Sequence, residues 1–352
     1  MLKTIAKWLG SAVLLVLLLF FVLFMVNKPA FKVPATVKFD AALPSVERDG
    51  YMFHLEKKGS GDSPLLIGLH GGPGDDMESV RPLFGLSDEY HVVLYDQRNS
   101  GLSQRTGDEV TVQDMYDDLS FVVDRYLNEG GKAILIGHSW GAMLAAGWAV
   151  RNPERLEALV LAEPGFLTKE AGTAFLKNSG GMKPAINVST VSILISTWFE
   201  SLHVRGPDGH EAKDYFMLRL LGHPDFKRKD HPLGRYACPG SRFSIPDRRV
   251  GTAVSMSMQG GAYDKKTGEF LVDMVGGYDP YPGRTLHIIS ECNTLIGIRH
   301  QQKFHVPLFP DSKTVIIRGA GHLMFTEQTD ATLKAIREFL ASNSTGEEAE
   351  IL

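Results

Sequence analysis

Three short glycine-bearing stretches in this 352-residue chain hold the residue types that acyl transfer needs. The first is Gly137-His138-Ser139-Trp140-Gly141, which follows the apolar run Ala133–Ile136 and precedes the small residues Ala142, Ala145, Ala146 and Gly147. A serine on a sharp strand-to-helix turn projects its hydroxyl above the edge of a sheet, and the crowded backbone two residues to either side calls for glycine. The helix N-terminus that follows favours negative charge developing beside the serine. The second stretch is His70-Gly71-Gly72-Pro73-Gly74, at the end of Leu65–Leu69. With so little side chain, this loop can present a backbone N–H to a tetrahedral intermediate. The N–H groups of Gly72 and Trp140 are the expected oxyanion donors. The third is Gly319-Ala320-Gly321-His322, after Thr314–Ile317. Its glycines let the backbone bend so that the imidazole reaches the serine, and nucleophile first, histidine last is a chain order known for such sites. Ser139 is read as the nucleophile and His322 as its general base.

To bring three loops together, the chain needs a sheet whose strands end along one edge. Short apolar runs at Leu65–Leu69, His91–Tyr95, Ala133–Ile136, Leu156–Ala162, Leu286–Ile289 and Thr314–Ile317 alternate with helical patterns. That alternation predicts an α/β domain with a mostly parallel central sheet and helices on both faces. Val112, Met115, Leu119, Val122 and Tyr126 recur at helical spacing, and so do Leu333, Ile336 and Leu340. The alternation breaks between residues 165 and 283, where Trp198, Phe199, Phe216 and several leucines are scattered among Pro and Gly. This stretch reads as an inserted, partly helical subdomain between two core segments, 45–164 and 284–342. The basic run Lys227-Arg228-Lys229 within it reads as a solvated face, and the polar, acidic residues 343–352 as a flexible tail.

The N-terminus differs from the rest. Leu9–Val26 is apolar and uncharged, and as a helix it would rise about 27 Å, close to the hydrocarbon thickness of a bilayer. Asn27, Lys28 and Pro29 offer no small-x-small cleavage site. Residues 1–28 are therefore read as an uncleaved single-pass membrane anchor, with a cleaved signal as the alternative. Basic residues flank both ends, so orientation is weakly specified, and the expectation is a catalytic domain on the non-cytoplasmic side. Pro29, Pro34 and Pro44 mark residues 29–44 as a stiff linker.

The bulk numbers narrow the partners. A formal net charge of −4 gives no basic field for nucleic acid. Two cysteines, Cys238 and Cys292, exclude a disulfide scaffold and a four-cysteine metal site. They could pair if both lie near the surface, but a buried free thiol is the plainer reading. No metal or organic cofactor is expected. The partners are a small-molecule or short-peptide substrate and, through the anchor, a lipid bilayer.

Taken together, HGGPG, the following Asp96-Gln97-Arg98-Asn99-Ser100-Gly101-Leu102-Ser103, and GHSWG resemble the proline iminopeptidase branch of the α/β-hydrolase fold. The resemblance covers residues 60–165 well and 284–342 moderately. It implies a cap domain at 165–283 that covers the active site and selects substrates, and removal of an N-terminal residue from small peptides. Two positions depart from that branch, which usually has glycine where this chain has His138 and Asn99. Such peptidases also need cap carboxylates to hold the substrate amine; Glu200, Asp208, Glu211 and Asp214 are candidates. GHSWG is equally at home among esterases and lipases of the fold. The preferred reading is a serine hydrolase of an ester or other small acyl substrate. The alternatives are a proline-iminopeptidase-like aminopeptidase and a non-catalytic binding protein on the same fold.

The third triad member is the least settled. Most α/β hydrolases place an aspartate in the loop after the strand that follows the cap, and here that loop reads Ser290-Glu291-Cys292-Asn293, with Asn293 at the expected position. Some haloalkane dehalogenases of this fold take the acid from the strand end just before the cap, where this chain has Glu163. Glu163 is preferred, with Glu291 and Asn293 as alternatives.

Overall fold

The computed structural model describes residues 2–107, 109–179, 187–223, 232–241, 248–264, 266–342 and 350–351. The 227–229 basic run and most of the expected tail lie outside the described residues.

The chain opens with α1 (Leu2–Val26), and two strands follow, β1 (Ser45–Arg48) and β2 (Tyr51–Lys58). The core continues through β3 (Leu65–Leu69), a 3-10 segment at Met77–Leu86, β4 (His91–Tyr95), α2 (Val112–Tyr126), β5 (Ala133–His138), α3 (Trp140–Ala149) and β6 (Leu156–Ala162). The insertion contributes α4 (Lys169–Asn178), α5 (Val188–Ser201), α6 (Glu211–Gly222) and α7 (Thr252–Gly261). The core resumes with β7 (Thr285–Ser290), α8 (Ile298–Phe304), β8 (Ser312–Ile317), α9 (Met324–Glu327) and α10 (Thr329–Ala341), and ends at β9 (Glu350–Ile351). The sheet order is β1-β2-β4-β3-β5-β6-β7-β8-β9. The β1–β2 and β2–β4 pairs are antiparallel, and every other pair is parallel.

The parallel strands read as unbroken apolar runs because both faces are covered. Alternate residues feed two separate cores. Ile67, Val93, Leu135, Leu159 and Leu161 point toward α2 and α3, while Leu66, Val92, Ile134, Val160 and Ile288 point toward the 3-10 segment and α10. Helix α3 is buried on all sides, so its sequence shows no polar stripe. Helix α2 begins at a capping box in which Thr111 and Asp114 satisfy each other's backbone N–H.

Three features depart from the sequence reading. The β1–β2 hairpin was not expected. It lies at the antiparallel edge, and YMFHLEKK carries charge where it reaches solvent. The packing of the stiff linker, residues 29–44, on the rest of the protein was not foreseen either: Thr36 and Val37 are buried, the Val37 N–H donates to Leu102, and Phe31 and Val33 pack on Tyr215 of α6. Cys238 and Cys292 are not buried thiols but a disulfide, joining the insertion to the loop after β7.

Candidate active site

Ser139 sits on the turn between β5 and α3 with φ 54° and ψ −116°. A non-glycine residue held there stores on the order of 1–3 kcal/mol, which the surrounding structure must sustain. Two constraints do so. The Ser139 N–H donates to the Ala162 carbonyl at 2.9 Å, continuing the sheet ladder into the turn. A Cβ on Gly141 would come within 2.2 Å of the Leu69 carbonyl oxygen, so only glycine lets α3 start this close to β3.

The HGGPG loop lies directly against the serine. A Cβ on Gly71 would stand 3.2 Å from Ser139 Cβ. The loop is fixed from behind by Gln97. Its N–H donates to His70 Nε2 at 2.9 Å, its Nε2 donates to the His70 carbonyl at 2.8 Å, and its Oε1 accepts from the Trp140 indole at 3.0 Å. One buried glutamine therefore locks the glycine loop to the first residue of α3. These two backbones carry the Gly72 and Trp140 N–H groups, and the Trp140 N–H, in the first turn of its helix, has no intrahelical acceptor. Gln97 was legible only as part of a motif; its bridging role needed coordinates. Its neighbour Asp96 is buried, which alone would raise its carboxyl pKa. The His54 hydrogen bond at 2.8 Å and the Leu102 N–H instead hold it below the usual range.

Glu163 follows the last residue of β6, again at positive φ, 45°. Its side chain is fully buried, and every contact comes from a defined donor. Oε1 accepts from the Ser290 N–H at 2.8 Å and the Ser290 hydroxyl at 2.6 Å. Oε2 accepts from Asn293 Nδ2 at 2.8 Å and lies 2.7 Å from His322 Nδ1. Asn293 is oriented for this, since its Oδ1 accepts from the N–H groups of Leu295 and Ile296, which turns the amide nitrogen toward Glu163. The residue at the position where an aspartate was expected thus serves the carboxylate on the neighbouring strand. Glu291 points elsewhere: its Oε2 accepts from the Gly319 N–H at 2.9 Å on the surface.

His322 is held by its backbone and by two flanking rings. Its N–H donates to Tyr236 of the insertion at 2.7 Å, and its carbonyl accepts from His138 Nε2 at 2.7 Å. The His138 and Tyr236 rings lie 4.7 and 4.8 Å from its own. Burial, with His322 close by, pushes the His138 pKa down to about 3. His138 therefore stays neutral and adds no positive charge beside His322. The sequence marked His138 only as a departure from a family pattern. Asn99, the other departure, takes φ 57°, a conformation asparagine tolerates, and its Oδ1 accepts from the Thr106 N–H at 2.8 Å.

The four carboxylates that could have held a substrate amine are engaged. Glu200 accepts from Tyr215 and Arg219. Asp208 and Asp214 bind Arg249 at 2.7 and 3.0 Å, and Asp214 also faces Arg105. Glu211 accepts from the Asp208 N–H and lies 4.0 Å from Arg249. Beside them Arg248 binds Asp75 and Asp76, just past the HGGPG loop, and the Gly251 N–H donates to Gly74 at 2.6 Å. This is a hinge fastening the insertion to the core. Asp225, Asp230 and Asp247 lie outside the described residues. Among the described residues no cluster of side chains is suited to a metal ion.

A family profile described as alpha/beta hydrolase fold matches residues 64–191. The proline iminopeptidase of Neisseria gonorrhoeae is 33% identical over 134 residues, which make up 38% of this chain and 42% of that protein. The match therefore spans about two fifths of that relative's length. The proline iminopeptidase PfmaB of Pestalotiopsis fici is 22% identical over 303 residues, covering 84% of this chain and 98% of that protein. Among solved structures, proline iminopeptidase from Mycobacterium smegmatis superposes with a TM-score of 0.55 at 21% identity, covering 85% of this chain and 97% of that one. The chain has the α/β-hydrolase fold, and its sequence is proline-iminopeptidase-like.

Proposed function

We propose that this α/β hydrolase, similar in sequence to the proline iminopeptidases, is a membrane-anchored serine hydrolase of small acyl esters. Ser139 is its nucleophile, His322 its base and Glu163 its acid. The observation that carries this reading is the 2.7 Å contact between Glu163 Oε2 and His322 Nδ1, made by a carboxylate whose other partners are all neutral hydrogen-bond donors.

In this mechanism Glu163 holds the Nδ1–H tautomer, leaving Nε2 to take the Ser139 proton as Oγ bonds to the acyl carbon. The carbonyl π electrons move to oxygen, which the Gly72 and Trp140 N–H groups stabilise. Collapse expels the alcohol, which takes the proton from the imidazolium. Water then attacks the acyl-enzyme by the same route, releasing the acid and restoring Ser139.

An ester is favoured over an N-terminal peptide because Glu200, Asp208, Glu211 and Asp214 are neutralised by arginines or held in hydrogen bonds, which leaves them poorly suited to a substrate ammonium. The aminopeptidase reading rests on the 33% identity to the Neisseria enzyme over 134 residues. A panel of short acyl esters and proline arylamides, run beside a fluorophosphonate probe, separates the two. Faster turnover of the arylamides would sink the ester reading, and failure of the probe to label Ser139 would sink both.

Helix α1 is the anchor in this reading. Thr4–Val26 is 23 residues long, and its most apolar 18-residue window has a mean hydropathy of 3.0 and no buried residue. The Cys238–Cys292 disulfide supports a catalytic domain on the oxidising, non-cytoplasmic side.

A further inference from the structure

The insertion carries an apolar surface that the catalytic reading does not use. Helix α5 has no charged residue from Val188 to Phe199. Its outward positions include Val188, Val191, Leu194, Ile195 and Trp198, with exposures of 88% at Val188 and 45% at Ile195. A helix facing water carries its polar residues outward. Here charge is absent from the outer face, and the inner face packs through Ile193 on Leu220 and Leu233.

The position of this face relative to α1 says what covers it. Phe24 of α1 stacks on His203 at 3.9 Å, and His203 Nε2 donates to the Phe24 carbonyl at 2.7 Å. Four residues earlier in α1, Phe20 meets Trp198 and Phe199 at 6.2 and 5.0 Å. Moving back along α1 from Phe24 to Phe20 moves from His203 back to Trp198 and Phe199, so the C-terminal end of α5 packs against the C-terminal end of α1. Phe20 lies six residues, about 9 Å of helix, inside the apolar end at Val26. Trp198, packed against Phe20, is drawn to that depth. A depth of about 5–10 Å is where an interfacial helix buries its apolar face, and tryptophan is enriched there.

We propose that the outer face of α5 is a bilayer-docking surface, seated in the same lipid leaflet as the C-terminal half of α1. This rests on reading α1 as a membrane anchor. The helix is also coupled to the site: Leu233, on which its inner face packs, lies in the turn Pro232–Tyr236, and Tyr236 flanks His322. Docking would place the roof of the active site at the lipid surface, and an acyl ester dissolved in the bilayer is the substrate such a roof would meet.

The test is a depth measurement on the full chain in phosphatidylcholine vesicles. Because both native cysteines are paired, Ile195→Cys supplies a single free thiol for a nitroxide label. Matching labels at Leu15→Cys in α1 and Lys334→Cys on α10 report lipid and water. The label at 195 should be relaxed by dissolved oxygen and shielded from a water-soluble nickel chelate, as at 15 and unlike 334. If 195 behaves like 334 while 15 stays in lipid, the docking surface is wrong and the anchor stands. Labels at both 15 and 195 in water would overturn both readings. A label at 195 shielded from both reagents means a protein contact and also overturns the proposal. If Ile195→Cys does not fold, brominated-lipid quenching of the native chain and of Trp198→Phe decides instead. The native chain should show an added quenched component, and equal quenching in the two overturns the proposal.

Discussion

The carboxylates at the junction of core and insertion and the carboxylate of Glu163 are held in opposite ways. At the hinge between core and insertion, Asp75, Asp76, Asp208 and Asp214 are each met by a guanidinium from Arg105, Arg248 or Arg249. At the ends of β6 and β7, Glu163 is fully buried and, among the described residues, its hydrogen-bond partners are a serine, an asparagine and a histidine. A guanidinium is permanently charged and neutralises its carboxylate in every state of the protein. A neutral donor solvates the carboxylate and leaves its charge available. The hinge therefore spends its charge on fastening two parts of the chain, while in the proposed mechanism Glu163 would face an imidazolium formed during turnover.

The comparison can be broken at several points. The largest effect is expected at the nucleophile. Ser139→Ala should lower kcat by roughly 10⁶ while the thermal midpoint stays within a few degrees of wild type. Substantial residual turnover in the purified variant would remove Ser139 from its role. Next is the charge itself. Glu163→Gln should lower kcat by about 10⁴, the scale seen when a triad acid is made neutral. Glu291→Gln, which loses only a surface contact to Gly319, should stay near wild type. The reverse ranking would move the acid to the loop after β7.

At the hinge the effect should be on stability rather than chemistry. Arg249→Met strands Asp208 without its cation, leaves Asp214 with Arg105 alone, and should cost about 3–5 kcal/mol of unfolding free energy in denaturant melts. The folded fraction should still react with a fluorophosphonate, and loss of that reactivity would mean that the hinge shapes the site.

The smallest effect is on pH dependence. Burial pushes both His138 and His287 down to about 3 from an ordinary 6.5. Between those values the unfolded chain binds a proton that the folded protein refuses, so stability is complete above about pH 6.5 and falls as the pH drops toward 3. His287 is fully buried on β7, and neither ring nitrogen has a hydrogen-bond partner among the described residues. His287→Leu should therefore flatten the acid decline of the thermal midpoint measured from about pH 7 to about pH 4. An unchanged slope would show that His287 is not what drives it.

The parallel strands could be read because each is an apolar run between turn signals, and all six fall within two residues of where the sequence put them. Glu163 could be weighed because it closes such a run. Ser290, Gln97 and Tyr236 could not be assigned roles: each depends on a partner far away in the chain, and nothing local to a serine, glutamine or tyrosine announces it. The disulfide could be named only as an alternative for the same reason, since its cysteines are 54 residues apart on segments whose meeting is set by the insertion. The β1–β2 hairpin escaped because an edge strand, wet on one side, shares its alternation with many exposed loops.

The position of Glu163 has a consequence for how the protein is made. A chain emerging from the ribosome presents its N-terminal part first and folds unit by unit. By residue 163 it has already supplied the HGGPG loop, Ser139 and the carboxylate, on three neighbouring strands. Had the acid followed β7, it would have arrived only after the whole insertion. As built, the nascent chain is short of only His322 and the donors Ser290 and Asn293, and all three come with the final segment. Until that segment arrives, Glu163 must remain in water, because a carboxylate buried without its donors is costly. The β6 end would therefore be among the last parts of the sheet to close during synthesis, and arrival of β7 would be the event that seals it.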